Sequence, residues 1–161
     1  FEQLSSEVDD LHLALAGPRE RGLAIPTGSR VHDFKELPHT EVPFFYSSLD
    51  MAVICYRHSA QGEYSFPQKA YEIIACRVPL VAAAVGSMNE LLGNYPDCLY
   101  EPEDSVHLAN TLKHQLRTKR IIETKAPSWA DSAKQLNDFF LRIVDCDSLP
   151  TTQNSSNQTG R

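Results

Sequence analysis

Short, continuous apolar runs separated by capped helical segments constrain this chain more than any other feature. The clearest runs are Met51–Tyr56 (MAVICY) and Leu80–Ala84 (LVAAA). Leu11–Ala16, closed by the turn Gly17-Pro18, and Arg30–Phe34 lie upstream, and the brief Cys98–Tyr100 downstream. Runs that stay apolar at every position, rather than at alternate ones, mark strands covered on both faces. Helical segments fall between them: Ser65–Cys76, Ser87–Leu92, Asp104 to about Thr118, and Ser128 to about Val144. Phe1, Leu4 and Val8 recur at helical spacing, and Thr40 can cap a short helix through Phe44 and Tyr46. Residues 19–29 read as weak helix or as loop. No internal repeat appears. Strands alternating with helices describe an α/β domain, an open parallel sheet with helices on both faces.

Composition narrows the class. At 161 residues the chain suits one ordinary domain. Its net charge of −6 argues against a nucleic-acid partner, whose first mark is a basic face. The longest apolar run, Val78–Val85, falls far short of a membrane span. No basic-then-apolar leader opens the chain, and its first residue, Phe1, suggests a fragment or a processed product. Cys55, Cys76, Cys98 and Cys146 have no short spacing of the kind zinc requires, so no metal is implied. Cys55 and Cys98 sit in apolar stretches and read as buried free thiols, which fits a reduced, cytoplasmic setting. The domain is expected over residues 1–146, with 147–161 a polar, disordered tail. The Asn154 and Asn157 sequons in that tail matter only in a secreted protein.

In open parallel sheets, ligands bind beyond the carboxyl ends of the strands. Two such junctions carry capping boxes here: Ser65 with Gln68 and Pro67, and Ser87 with Glu90 after Gly86. Such boxes start helices anywhere, and they also leave backbone N–H groups that favour an anion. In the first helix Phe66, Ala70, Ile73 and Ile74 form the expected core face. Lys69 and Glu72 flank it, three residues apart. They read either as an ordinary surface pair or as a binding pair. In the second case Glu72 accepts from sugar hydroxyls, while Lys69 meets a phosphate or orients Glu72. Glu63 and Tyr64 precede the helix, about seven helical residues or roughly 10 Å from Glu72, the span between the two sugars of a nucleoside diphosphate sugar. His58, in the same polar loop, is a further candidate hydrogen-bonding residue.

These residues carry a resemblance. The stretch Val42–Leu112, with MAVICYRHSAQGEYSFPQKAYEIIACRVPLVAAAVGSMNELL at its centre, resembles the donor-binding C-terminal half of group 1 (family 4) glycosyltransferases. These are retaining enzymes of the GT-B fold, whose C-terminal half is a Rossmann-like open sheet. The similarity runs from Leu11 to the Ser128-Trp129 helix. In the family two glutamates frame a seven-residue segment, and the second grips the donor ribose. By resemblance that residue is Glu72. The first position falls on Tyr64, with Glu63 beside it, which leaves the sugar contact open between Glu63, Tyr64 and a backbone amide. Ser65 and Phe66 fall inside the same segment. Gly86-Ser87 stands where the family has Gly-Gly. Arg77 stands where it has glycine, which implies strain if the backbone there is left-handed.

The resemblance implies a nucleoside diphosphate sugar as donor substrate, without a metal or other cofactor. It also implies that the family's first strand, its basic diphosphate loop and its acceptor domain lie outside this chain, so that the chain alone is inactive. The family's usual setting is polysaccharide or glycoconjugate synthesis, with peripheral membrane association of the whole enzyme. Transfer with retention requires stabilised charge on the departing diphosphate rather than a carboxylate pair. A nucleotide-sugar epimerase of the same fold and a non-catalytic nucleotide-binding domain are the alternatives. A phosphate-receiver domain is disfavoured, because Asp50 stands at the start of a strand and not at its end.

Overall fold

In the computed structural model, which describes residues 1–19, 22, 24–124 and 128–147, every strand pair is parallel. A short helix α1 (Glu2–Ser5) leads into β1 (Leu13–Leu15), β2 (Val31–Asp33) and α2 (Val42–Ser47). Then follow β3 (Ala52–Ile54), α3 (Ala60–Tyr64), α4 (Gln68–Ala75), β4 (Leu80–Ala83) and α5 (Ser87–Leu91). A 3₁₀ turn (Pro96–Cys98), β5 (Leu99–Tyr100) and α6 (Ser105–Thr118) follow, and α7 (Trp129–Asp147) is last. Two compact units divide the chain, Phe1–Lys125 and Ala126 onward, the second represented here by α7. The tail beyond 147 lies outside the described residues.

The α/β expectation holds, with the strands divided between two open sheets. One is β1–β2, with Leu13 opposite Val31 and Leu15 opposite Asp33. The other has the order β3–β4–β5, with Ala52 opposite Leu80 and Ala82 opposite Leu99. The middle strand β4 organises the core, because alternate side chains of a strand face opposite ways. Leu80 and Ala82 join Ile73, Ile74, Met88, Leu92 and Cys98 on one side. Val81 and Ala83 join Val85 and Tyr100 on the other, against Leu108 and Leu112 of α6.

The two-sided burial inferred from apolar runs is met only by β4. On β3, Ala52 and Ile54 are buried while Val53 and Cys55 are exposed, so the expected burial of Cys55 is wrong. Ala52 and Ile54 join the core cluster that contains Ala70, Ile73 and Ile74 of α4, whereas Val53, on the other face of this edge strand, is 41% exposed. Cys98 is fully buried, as expected.

Local signals explain most helix ends. Asp104 accepts hydrogen bonds from the Val106 and His107 amides at 2.9 and 2.8 Å and so starts α6. Ser128 and Asp131 cap each other reciprocally at the start of α7. At α2 the residue before the helix is Glu41, without a side-chain cap, rather than Thr40. Helix α4 ends where Arg77 turns left-handed (φ 56°), with Arg77 and Val78 donating back to Ile74 and Ile73. The strain anticipated at Arg77 is therefore present.

Candidate active site

The carboxyl ends of the adjacent strands β3 and β4 feed two junctions that meet in one open cleft of about 620 Å³. Glu63, Tyr64, Ser65 and Phe66 line it from the first junction. Gly86, Ser87, Asn89 and Glu90 line it from the second. One hydrogen bond ties the two together: Ser87 Oγ donates to the Ser65 carbonyl at 2.7 Å. Glycine is required at 86, since a Cβ there would lie 2.4 Å from the Glu63 carbonyl oxygen and φ is +50°. The two chain segments touch backbone to backbone, and only a residue without a side chain permits it.

This arrangement corrects both capping boxes. Ser65 ends α3 rather than starting α4, and the serine that caps is Ser59, whose Oγ accepts from the Gly62 amide at 3.1 Å. Helix α4 begins at Gln68 after Pro67, with no side-chain cap. Ser87 does not cap α5 either, because it is the first residue of the helix and the capping position is Gly86. The Gly86 and Ser87 amides therefore donate to no described group.

Phe66 also departs from its expected core place. It precedes α4, is 68% exposed, and stacks on Tyr71 with ring centroids 5.6 Å apart. Tyr64 is more exposed still, at 88%. Both side chains are therefore largely exposed among the residues that line the cleft. Because α4 starts at Gln68, Tyr64 and Glu72 are not joined by a continuous helix as the spacing argument assumed.

Glu72 and Lys69 do not line the cleft but lie along α4 beyond it. The expected Lys69–Glu72 pair is not formed, and Lys69 is exposed. Glu72 instead accepts from Gln68 Nε2 at 3.0 Å, one helical turn back. Burial, then the Glu72 and Cys76 charges, push the Tyr46 hydroxyl above its ordinary range. His58 is not part of the cleft lining, and its Nδ1 lies 3.5 Å from Glu63 Oε1. Sequence reasoning missed Asn89 and Glu90 as lining residues, and Gln68 as the partner of Glu72. The available signal for Gln68 was its four-residue spacing from Glu72.

A second groove of about 420 Å³ lies at the carboxyl end of β2, lined by Arg19, Ile25, Thr27, Asp33 and Lys35 among others. Its charged residues are tied together, since Asp33 Oδ2 takes both Arg19 Nη2 and Lys35 Nζ, which leaves one positive charge in excess. Among the described residues there is no cluster of three or more metal-ligating side chains. None of the described helices is long and apolar enough to cross a membrane.

The sequence profile described as glycosyl transferases group 1 matches residues 1–118, from the first helix through the last residue of α6. Helix α7, with the Ser128-Trp129 start noted above, lies outside the matched residues. No curated protein matches the chain.

Proposed function

The chain belongs to the group 1 glycosyltransferases, and from that premise we propose that it is the donor-binding half of a retaining enzyme. In this reading the enzyme transfers a sugar from a nucleoside diphosphate sugar to an acceptor hydroxyl. The observation that carries the proposal is the Ser87–Ser65 hydrogen bond, which joins two strand-end junctions into one cleft. Two of its lining residues, Gly86 and Ser87, have amides that donate to no described group. Amides of this kind stabilise charge on a departing diphosphate without reorganising during reaction.

A donor with its diphosphate at Gly86–Ser87 runs along α4 to place its ribose at Glu72. The carboxylate accepts from the vicinal hydroxyls, and exposed Lys69 meets a phosphate. Glu63, Tyr64 or a backbone amide of Ser65–Phe66 holds the transferred sugar, and His58 orients Glu63. An acceptor-binding half and a basic loop supplied from outside these residues complete the enzyme. Its setting in this reading is cytoplasmic polysaccharide or glycoconjugate synthesis, with peripheral attachment to a membrane.

Titration of the chain with nucleoside diphosphates and their 2′-deoxy and 3′-deoxy analogues tests the reading. Charged hydrogen bonds contribute about 1.5–3 kcal/mol, so Glu72→Ala lowers affinity roughly ten- to a hundredfold. The deoxy analogues lose little further affinity in the variant. Unchanged binding by Glu72→Ala contradicts the ribose assignment. In the intact enzyme, conversion of a nucleotide sugar without acceptor indicates an epimerase instead.

A further inference from the structure

The cleft at the β3–β4 junctions is acidic. Of its eight lining residues, Glu63 and Glu90 carry carboxylates and none is Lys, Arg or His. His58, whose Nδ1 lies 3.5 Å from Glu63 Oε1, and Lys69 are both outside the lining. Glu90 has no ion pair among the described residues. Even with His58 protonated, one negative charge therefore stays in excess. We infer that the cleft takes an uncharged sugar and rejects a sugar acid, with Glu63 and Glu90 excluding the acid and Phe66 carrying the sugar's C–H face. This rests on the donor-binding reading given above and names the class of sugar within it.

Geometry decides which residues the sugar meets. A Cβ on Gly86 would lie 2.4 Å from the Glu63 carbonyl oxygen, and Ser87 Oγ donates to the Ser65 carbonyl at 2.7 Å. Gly86 and Ser87, whose amides are assigned to the diphosphate, therefore stand directly beside the Glu63–Phe66 segment. A sugar bonded to that diphosphate enters the same space. Backbone amides stabilise the charge of the diphosphate, but no lining side chain is a cation that could pair with a further anion. A sugar carboxylate placed there would lose its water and meet like charge. Hydroxyls suit the same groups, because an ionised carboxylate only accepts and a hydroxyl donates to it in a charge-assisted bond. Phe66 adds an apolar surface. Its ring is 68% exposed yet stacks on Tyr71 of α4, with centroids 5.6 Å and planes 22° apart. An aromatic face is electron-rich and attracts the polarised C–H groups that one side of a hexose ring presents. The stack holds the ring before a ligand arrives, so less side-chain freedom is lost on binding.

The test measures binding of matched donors to the chain: UDP-glucose against UDP-glucuronate and GDP-mannose against GDP-mannuronate, with UDP and GDP alone as references. The ratio of hexose to acid affinity isolates the sugar, since any change felt by the shared nucleoside diphosphate cancels. The inference expects the hexose donor to be favoured at least tenfold. Combining Glu63→Gln with Glu90→Gln, which keeps size and removes charge, should bring the preference within threefold. Phe66→Ala should weaken both donors three- to tenfold and leave the bare diphosphate unchanged, whereas a merely structural loss would weaken the diphosphate as well. With saturable diphosphate binding, the donor-binding reading stands, and three results each overturn the inference. They are equal binding of hexose and acid, a preference that survives the double substitution, and a Phe66→Ala loss shared by the bare diphosphate. If neither UDP nor GDP binds, the donor-binding reading fails and the inference with it.

Discussion

The two parallel sheets of this molecule are built from similar sequence and end in different environments. Leu13–Leu15 reads LAL and Leu80–Ala83 reads LVAA. Yet β1 is half-buried throughout, while every residue of β4 is closed from solvent. The difference lies in neighbours: β4 has a strand on each side and buried clusters on both faces, whereas β1 pairs with β2 alone. Both sheets open a groove at their carboxyl ends. The β2 groove ties its charged side chains to one another, with Asp33 holding both Arg19 and Lys35. The β3–β4 groove is lined by two residues whose amides donate to no described group, Gly86 and Ser87, and by the exposed aromatic side chains of Tyr64 and Phe66. Position in the sheet, more than local sequence, decides how far each strand is buried.

Removing the same side chain from each sheet tests this contrast most strongly. Leu80→Ala leaves a void in a closed core and is expected to cost about 4 kcal/mol in urea unfolding. Leu13→Ala, at a half-buried site, is expected to cost about 1 kcal/mol. Equal losses would break the comparison. Gly86→Ala comes next, because its Cβ meets three Glu63 backbone atoms within 2.8 Å at a positive φ. It should cost about 3 kcal/mol and abolish nucleotide binding, whereas Gly28→Ala, which has open space and only an unfavourable φ to contend with, should leave binding intact.

A pH series sharpens the core side of the comparison. Burial, then the Asp97 charge, push the Cys98 thiol up to about 11, with Arg120 opposing. The native state therefore keeps its proton where the unfolded chain has lost it. Stability from this group is unaffected below about pH 9 and falls as pH rises, by about 2 kcal/mol at pH 11. Cys98→Ala should flatten that decline. A thiol reagent should modify exposed Cys55 well before Cys98 in the folded chain. The smallest effect belongs to Arg77→Gly, which relieves a left-handed backbone at the end of α4. It should raise stability by about 0.5 kcal/mol, the strain relieved being partly offset by the greater freedom of glycine when unfolded.

Features set by nearby residues were legible in the sequence. Asp104 and Ser128 cap the helices they precede, and the strands lie inside the apolar runs assigned to them. Features set by distant partners were not. Ser65 and Ser87 carry capping-box spacing, but they bond each other across 22 residues instead, and that bond builds the cleft. Helix α3 escaped notice because its sequence, AQGEY, is polar and contains Gly62. That glycine is needed because a Cβ would lie 2.2 Å from the Arg57 carbonyl oxygen. Of the site residues, Glu63, Tyr64, Ser65, Phe66, Gly86 and Ser87 come together, while Glu72 and Lys69 remain outside the cleft and His58 reaches it only through Glu63. Spacing along the chain identified the segments, and the structure shows Gln68, one turn back on α4, as the side chain bonded to Glu72.

Amide chemical shifts of the ¹⁵N-labelled chain, recorded while a nucleoside diphosphate is added, test the central claim most directly. Donor binding at the β3–β4 junctions predicts saturable shifts concentrated at Ser65, Phe66, Gly86 and Ser87 and extending along α4 to Glu72. Shifts concentrated instead at Arg19, Thr27 and Lys35, or no saturable shifts at all, would contradict it.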